Sequence, residues 1–74
     1  MEKQLQVKLT PRELSVLRLV ANGAPNKTIA IEQGVTYRTI VNQRSSLYKK
    51  LNVHCTADLI RRAVQMKLII IGEE

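Results

Sequence analysis

Apolar residues recur every three or four positions through most of this chain, which is the spacing that buries one face of an α-helix. The first such run follows Thr10, Pro11 and Glu13, where a capping hydroxyl, a proline at the first helical position and a capping-box glutamate mark a helix start. An asparagine-glycine pair ending at Gly23 offers a left-handed stop. The predicted helix spans about residues 11–22 and carries this stripe: Leu14, Val16, Leu17, Leu19, Val20 and Ala21.

Two further signals predict a helix-turn-helix. A second helix with the sequence NKTIAIEQ opens after a proline, with Ile29 and Ala30 facing inward and Gly34 as its cap. Thr36 then caps a third helix at about residues 37–51. Two helices joined by a tight glycine-containing turn are typical of this motif.

The third helix has one narrow apolar seam and an otherwise polar surface. Successive steps of about 100° place Leu47 and Leu51 beside Ile40 on the inward side, with Tyr37 and Arg44 at the margin. The opposite face carries hydrogen-bonding groups and cations: Arg38, Asn42, Ser45 and Lys49, flanked by Val41 and Ser46.

A fourth helix is predicted at about residues 56–67. Asp58 in its first turn and Lys67 in its last complement the helix dipole. Its predicted buried stripe is Leu59, Ile60, Ala63, Val64 and Leu68. The tail, residues 69–74, is expected to be a short extended end. Together the elements predict an all-α fold, a four-helix bundle-like single domain over residues 1–74 with its core at about residues 9–69.

Length and composition limit the classes of protein that fit. A chain of 74 residues supports one small hydrophobic core but no deep catalytic cleft. The amino-terminal segment lacks the apolar stretch of a signal peptide, and the apolar run at residues 68–71 is far too short to span a bilayer. One cysteine cannot form an internal disulfide, which fits a reducing compartment. We expect a soluble, cytoplasmic protein that does not contact a membrane.

The charge is basic and concentrated on the third helix. Twelve Lys and Arg against six Asp and Glu give a net charge of +6. No acid occurs in residues 33–57, and that stretch holds four cations: Arg38, Arg44, Lys49 and Lys50. Such a balance favours a polyanionic partner, although solubility alone also accounts for a positive charge.

Catalytic and metal-binding chemistry find little support. The single histidine and the single cysteine, His54 and Cys55, are adjacent, and sequence neighbours do not form a nucleophile-base pair without an unusual backbone turn. The sequence has no second His or Cys to complete a tetrahedral metal site. Its three glycines are too widely spaced for a phosphate-cradling loop. We therefore predict no catalytic residue, no metal and no cofactor.

The polar face of the third helix has side chains that suit duplex DNA. Asn42 can pair bidentately with adenine, Ser45 can donate or accept at several bases, and Val41 on the flank can touch a thymine methyl group. Arg38 and Lys49 supply charge for phosphates. An ordinary solvated helix face usually mixes Glu with Lys, and this one has no Glu. Specific binding of double-stranded DNA is therefore the preferred interpretation.

Groups near the starts of the second and third helices suit phosphate. Lys27 lies in the first turn of the second helix, whose amides and dipole favour an anion, although a solvated lysine fits equally well. Thr36 and Thr39 have hydroxyls that can serve the helix start and still contact a phosphate oxygen. Tyr37 is placed to reach a phosphate with its phenol, whereas Tyr48 is assigned to packing.

Two other classes of function remain open. In one, the basic face binds an acidic protein partner, which predicts weak DNA binding without any ranking of sequences. In the other, the chain binds DNA architecturally and without sequence preference, but no apolar wedge for intercalation supports that interpretation.

Four segments occur in order and in register: LTPRELSVLRLVANG, NKTIA, TYRTIVNQRSSLYKKLNV and ADLIRRAVQMKLI. Their order and spacing resemble the LuxR-type helix-turn-helix domain of bacterial transcription regulators, also called the GerE or FixJ/NarL type. The resemblance covers about residues 9–69 and is specific, because the LTPRE start, the NK-x-IA block and the third segment occur together.

The resemblance implies a four-helix domain whose third helix enters the major groove and whose fourth helix joins a homodimer on DNA. Base-facing positions would be Val41, Asn42 and Ser45. Positions near the DNA backbone would be Lys27, Thr36, Thr39 and Lys50, to which the helical geometry adds Arg38 and Lys49. Candidates for the dimer surface are Arg62, Gln65 and Met66.

Domains of this type usually follow a phosphoacceptor receiver or an autoinducer-binding domain, and some stand alone. The resemblance therefore implies the C-terminal effector module of a response regulator or quorum-sensing regulator, or a small stand-alone regulator, with a possible contact to RNA polymerase. The chain departs from the family pattern at four positions. Val41 stands where Lys or Glu is common, Gln43 where His is usual, and Pro25 and Cys55 where capping serines are common.

Overall fold

The computed structural model describes residues 8–69, which form four α-helices and, within that range, no strand. The helices are α1 (Pro11–Ala21), α2 (Asn26–Gln33), α3 (Tyr37–Leu51) and α4 (Thr56–Gln65). The all-α class and the bounds of the second and third helices are confirmed, whereas α1 and α4 end slightly earlier than predicted. The extended end proposed for residues 69–74 lies, apart from Ile69, outside the described residues.

The start of α1 is a complete capping box, as its sequence predicts. The N–H of Glu13 donates to Oγ1 of Thr10 at 3.1 Å, and the N–H of Thr10 donates to Oε1 of Glu13 at 2.9 Å. Two amide groups that the helix itself leaves without partners are thereby satisfied, and Pro11 occupies the first helical position, where no N–H is needed.

Each of the four described helices is followed, within two residues of its last residue, by a residue in the left-handed conformation. These residues are Gly23, Gly34, Asn52 and Lys67, with φ of 85°, 69°, 57° and 61°. After α4, the N–H groups of Lys67 and Leu68 donate to the carbonyls of Val64 and Ala63 at 3.0 and 2.9 Å. Lys67 is thus outside the helix, and its predicted place in the last turn is wrong, because the chain reverses there; Arg62 is the basic residue of that turn.

The core forms where α3 packs against the other three helices. The predicted inward seam of α3 is confirmed, since Ile40, Leu47 and Leu51 are at most 1% exposed. The other buried apolar residues come from the remaining helices and from the turns after α3 and α4: Val16, Leu17, Val20, Ile29, Ala30, Val53, Leu59, Ala63 and Ile69. Within residues 8–69, no helix combines the length and the apolar character needed to cross a bilayer.

The apolar stripe predicted for α4 is too wide. Leu59 and Ala63 are fully buried, but Val64 is 40% exposed. Val64 follows Ala63 and is therefore turned about 100° away from it around the helix. Ile60 and Leu68 are half-buried at the edge of the core, so α4 enters the core along a narrow line.

Candidate nucleic-acid interface

The largest group of predicted site residues lies on the solvent face of α3. Its exposed side chains are Arg38, Val41, Asn42, Ser45, Ser46 and Lys49. Tyr37, at the first position of α3, is exposed as well. The burial of the opposite seam fixes this orientation, so the predicted division of α3 into a buried and a solvent face is confirmed.

Two threonine hydroxyls lie at the amino-terminal end of α3. Oγ1 of Thr36 accepts the N–H of Thr39 at 3.1 Å, which caps the helix. The hydroxyls of the two threonines are 3.0 Å apart and share a hydrogen bond. Since each hydroxyl oxygen has two lone pairs and one proton, the pair retains hydrogen-bonding capacity for a further partner.

The start of α2 presents backbone amides without a side-chain cap. Its N-cap residue, Pro25, makes no side-chain hydrogen bond to the first turn. Lys27 and Thr28 are exposed in that turn. Uncapped amides and the positive end of the helix dipole suit an anion there. Cys55 at the start of α4 likewise provides no side-chain cap and is exposed.

Arg44 is a structural residue that joins three helices. Its guanidinium donates to Oδ1 of Asn26 at 2.9 Å, to Oγ1 of Thr56 at 2.7 Å and to the hydroxyl of Tyr48 at 3.3 Å. Asn26 and Thr56 are the first residues of α2 and α4. The sequence pattern assigns neither Asn26 nor Thr56 a role, although small polar side chains at two helix starts are a usable signal.

Tyr48 belongs to the same group, and its predicted packing role is confirmed. It is half-buried against the core, and its hydroxyl lies 2.7 Å from Oγ1 of Thr56. Burial raises the pKa of Tyr48, but the hydrogen bonds from Arg44 and Thr56, together with the charge of Arg44, outweigh burial and lower the pKa below its usual value. The group fixes the orientation of α3 relative to its neighbours.

Lys50 lies on the flank of α3 that faces α1 and forms an ion pair there. Its Nζ is 2.9 Å from both carboxylate oxygens of Glu13. The hydrogen bond from Lys50, followed by that from the N–H of Thr10, lowers the pKa of Glu13. Glu13 is a partner that the sequence pattern does not predict for Lys50, and the contact of Lys50 with the DNA backbone stays a prediction.

Gln43 points its amide oxygen into the protein. This oxygen is buried and has no hydrogen-bond partner within residues 8–69. It borders a shallow depression between the start of α1 and α3, which Arg12, Thr39 and Asn42 also line. The side chain of Gln43 therefore contributes little to the solvent face, unlike its neighbour Asn42.

The three dimer candidates lie near the end of α4 in different environments. Gln65 is exposed, Arg62 is half-buried, and Met66 packs partly against the core. Val64, whose predicted place in the core is wrong, is exposed in the same turn of α4. In the part of the chain that the structure describes, no cluster of three or more His, Cys, Asp and Glu side chains could hold a metal ion.

Residues 7–63 match the family of bacterial regulatory proteins called the luxR family (GerE). The transcriptional regulatory protein MctR of Rhizobium johnstonii is 43% identical over 61 residues, which are 82% of this chain and 28% of that protein. The transcriptional regulatory protein YdfI of Bacillus subtilis is 33% identical over 72 residues, 96% of this chain and 34% of that protein. The chain thus spans about a third or less of the length of these relatives.

Solved structures have the same fold. A chain in the crystal structure of a Vibrio cholera VqmA-ligand-DNA complex gives a TM-score of 0.80 at 26% identity, over 95% of this chain and 32% of that one. The response regulator ChrA of a heme-sensing two-component system gives a TM-score of 0.81 at 28% identity, over 90% of this chain and 33% of that one.

The family match covers the helix-turn-helix and most of α4, and it confirms the resemblance noted in the sequence. The family consists of DNA-binding transcription regulators and not of enzymes. From its four helices, its helix-turn-helix and these relatives, the chain belongs to the luxR family of bacterial regulatory proteins and is a LuxR-type helix-turn-helix domain.

Proposed function

We propose that this domain binds specific sequences of double-stranded DNA with α3 in the major groove and thereby regulates transcription. The observation that carries the proposal is the solvent face of α3. That face is fully formed, it presents Arg38, Asn42 and Lys49 side by side, and no acid occurs in residues 33–57. A phosphate-lined groove attracts such a surface and repels an acidic one.

Phosphate contacts would come from the starts of α2 and α3 and from the cations of the solvent face of α3. The uncapped start of α2, with Lys27, offers amides and a cation to one phosphate. The hydroxyls of Thr36 and Thr39 offer a second contact at the start of α3. Arg38 and Lys49 extend the cationic surface along the helix. Such contacts fix the register of a protein on the duplex without reading its sequence.

Base recognition would fall to Val41, Asn42 and Ser45. These side chains are exposed on the solvent face of α3, between Arg38 and Lys49 in sequence. An asparagine amide can accept from N6 and donate to N7 of adenine, which distinguishes adenine from the other bases. A serine hydroxyl is less selective, since it can donate or accept.

Dimerisation would use the last turns of α4, where Gln65 and Val64 are exposed and Arg62 and Met66 are half-buried. An exposed valine adjoining polar side chains is compatible with a small symmetric contact. A dimer would bind two half-sites about one helical turn apart. The relatives are several times longer than this chain, so we place the domain either in a longer cytoplasmic regulator or in a small one acting alone. A contact with RNA polymerase is part of this proposal.

The test is selection of bound duplexes from a randomised DNA pool at near-physiological salt, followed by sequencing. We expect an enriched motif with two related half-sites. Arg38→Ala should weaken binding, whereas the matched control Arg18→Ala, which removes an exposed arginine from α1, should not. Binding without enrichment would contradict specific recognition and would favour a general polyanion binder or a domain whose natural partner is an acidic protein.

A further inference from the structure

Two apolar side chains form an exposed strip on α3. Tyr37 is 58% exposed and Val41 is 39% exposed, whereas Ile40 on the same helix is fully buried. Side chains four positions apart lie one above the other on a helix, with Cβ atoms about 6 Å apart. Tyr37 and Val41 therefore form one surface, here called the apolar strip, in the amino-terminal half of α3.

Single exposed apolar side chains are common on protein surfaces, so the exposure of the apolar strip does not by itself indicate a function. The position of the strip on α3 does. The strip starts at the first residue of α3 and borders the exposed Asn42 and Ser45. In a helix-turn-helix, the amino-terminal residues of the second helix contact the base edges. The strip therefore lies on the part of α3 that would come closest to the bases.

The major groove offers one apolar group to such a strip. Base edges there carry hydrogen-bond donors and acceptors, and thymine adds the methyl group on C5. Valine has no polar side-chain atom, so its gain on binding comes from removing apolar surface from water. A tyrosine ring adds a large apolar face next to it. 5-Methylcytosine carries a methyl group at the same ring position as thymine.

We infer that Tyr37 and Val41 read C5 methyl groups of pyrimidines, so that each half-site places a thymine, or a 5-methylated cytosine, against the apolar strip. The inference rests on the proposed function, and it extends the thymine methyl contact suggested for Val41 to Tyr37 and to 5-methylcytosine. It makes Tyr37 a specificity residue, in place of the phosphate contact that its position in the sequence suggested.

Replacement of single thymines by uracil in the selected duplex tests the inference, because uracil lacks only the methyl group. The 74-residue chain should lose about fourfold in affinity at one or two positions of each half-site, the loss expected for one methyl-sized group. Val41→Ala should bind the thymine duplex more weakly than the wild-type chain does. At one of those positions, replacing thymine by uracil should then cause no further loss of affinity. Asn42→Ala, the control on the same helix, should keep the full uracil effect.

Cytosine methylation gives an independent measurement. A thymine-adenine pair at a sensitive position is first replaced by a cytosine-guanine pair. This exchange changes the hydrogen-bonding groups of the base pair, so affinity should fall. Methylation of that cytosine on C5 should then raise the affinity of the wild-type chain about fourfold. Val41→Ala should show no such gain at its position.

Tyr37→Phe separates the inferred role from a phosphate contact. Because the ring remains, Tyr37→Phe should keep the full affinity ratio between the thymine and uracil duplexes, whereas Tyr37→Ala should lose that ratio at a second position. A uniform loss with Tyr37→Phe on all duplexes would show a contact through the phenol and overturn the role given to Tyr37.

Equal binding of thymine and uracil duplexes at every position would overturn the inference and leave the proposed function intact. If uracil lowers the affinity of the wild-type chain, Val41→Ala and Tyr37→Ala by the same factor, the inference is likewise overturned and the proposed function stays intact. If the selection finds no preferred duplex, the proposed function fails and this inference fails with it.

Discussion

Nζ of Lys50 lies 2.9 Å from both carboxylate oxygens of Glu13, and this ion pair joins the last turn of α3 to the first turn of α1. The same carboxylate accepts the N–H of Thr10. Glu13 therefore completes a helix cap and holds a lysine at the edge of the proposed DNA surface. Lys50 thus already has a carboxylate partner when a phosphate approaches, although its side chain stays 40% exposed.

The ion pair predicts a loss of stability in acid. The pKa of Glu13 is lowered from its ordinary value of 4.5, chiefly by the hydrogen bond from Lys50. As the pH falls below 4.5, the unfolded chain takes up this proton first, so the contribution is complete above that pH and declines below it. Glu13→Gln should lower the free energy of unfolding by about 0.2–1 kcal/mol at neutral pH, with a smaller difference in acid.

Urea unfolding over a range of pH measures this difference. Glu32→Gln, which changes an exposed glutamate on α2, is the matched control, and at neutral pH it should change the free energy of unfolding by less than about 0.5 kcal/mol. A deficit in Glu13→Gln that stays constant from neutral pH into acid would contradict the assignment.

The hydrogen bonds around Arg44 predict a second effect on stability. Arg44→Ala removes the guanidinium that donates to Asn26, Tyr48 and Thr56, and it should lower the free energy of unfolding by about 2 kcal/mol. Tyr48→Phe keeps the packing and removes one hydroxyl, so about 1 kcal/mol is expected.

Chemical unfolding followed by circular dichroism provides the measurement for Arg44. The exposed Arg38 is the control, since Arg38→Ala should change stability by less than about 0.5 kcal/mol. If Arg44→Ala were no more harmful than Arg38→Ala, the network would not stabilise the arrangement of α2, α3 and α4.

The left-handed residue after α4 predicts a stabilising substitution. Lys67 has φ of 61°, a conformation that costs a residue with a Cβ atom about 1–2 kcal/mol. Lys67→Gly removes most of that cost, which should raise the melting temperature, although the greater freedom of glycine in the unfolded chain offsets part of the gain.

Gly34→Ala is the converse control. Gly34 has φ of 69°, and a Cβ atom added there would meet no atom within 4 Å, so its cost would come from the backbone conformation alone. Thermal unfolding should move in opposite directions for the two variants. A lower melting temperature for Lys67→Gly would show that its side chain contributes more than the backbone strain removes.

Two substitutions on α3 should separate base recognition from phosphate binding. Asn42→Ala should relax the preference at one base position of each half-site, and Lys49→Ala should weaken all sequences alike and reduce the salt slope by about one. Lys50→Ala should also weaken all sequences, but its ion pair with Glu13 adds an effect on stability. Lys49 is thus the better probe, and affinities for ranked duplexes at several salt concentrations provide the measurement. An unchanged ranking with Asn42→Ala would show that Asn42 does not read a base.

The sequence was sufficient for the helices and for the direction of α3, because these depend on local chemistry. The capping groups Thr10, Glu13 and Thr36 bond residues three positions away, and the spacing of Ile40, Leu47 and Leu51 leaves one side on which α3 can be buried. The sequence was less successful at the end of α4. The conformation of Lys67 depends on where the chain turns, and the exposure of Val64 depends on how closely α4 approaches the core.

The exposed chemistry of α3, with its cations and without acids, was determined by the sequence alone, since charge and helical period require no knowledge of partners. The tertiary structure decided which of these groups remain available. Arg44 meets Asn26 and Thr56 from distant parts of the chain, and Lys50 meets Glu13 in the same way. No periodic pattern encodes such pairings, because they depend on the packing of helices that are far apart in sequence. Arg44 is thereby held half-buried within the protein, and Lys50 is paired with Glu13 while its side chain stays exposed, whereas Arg38, Asn42 and Lys49 are exposed on the face that we propose meets DNA.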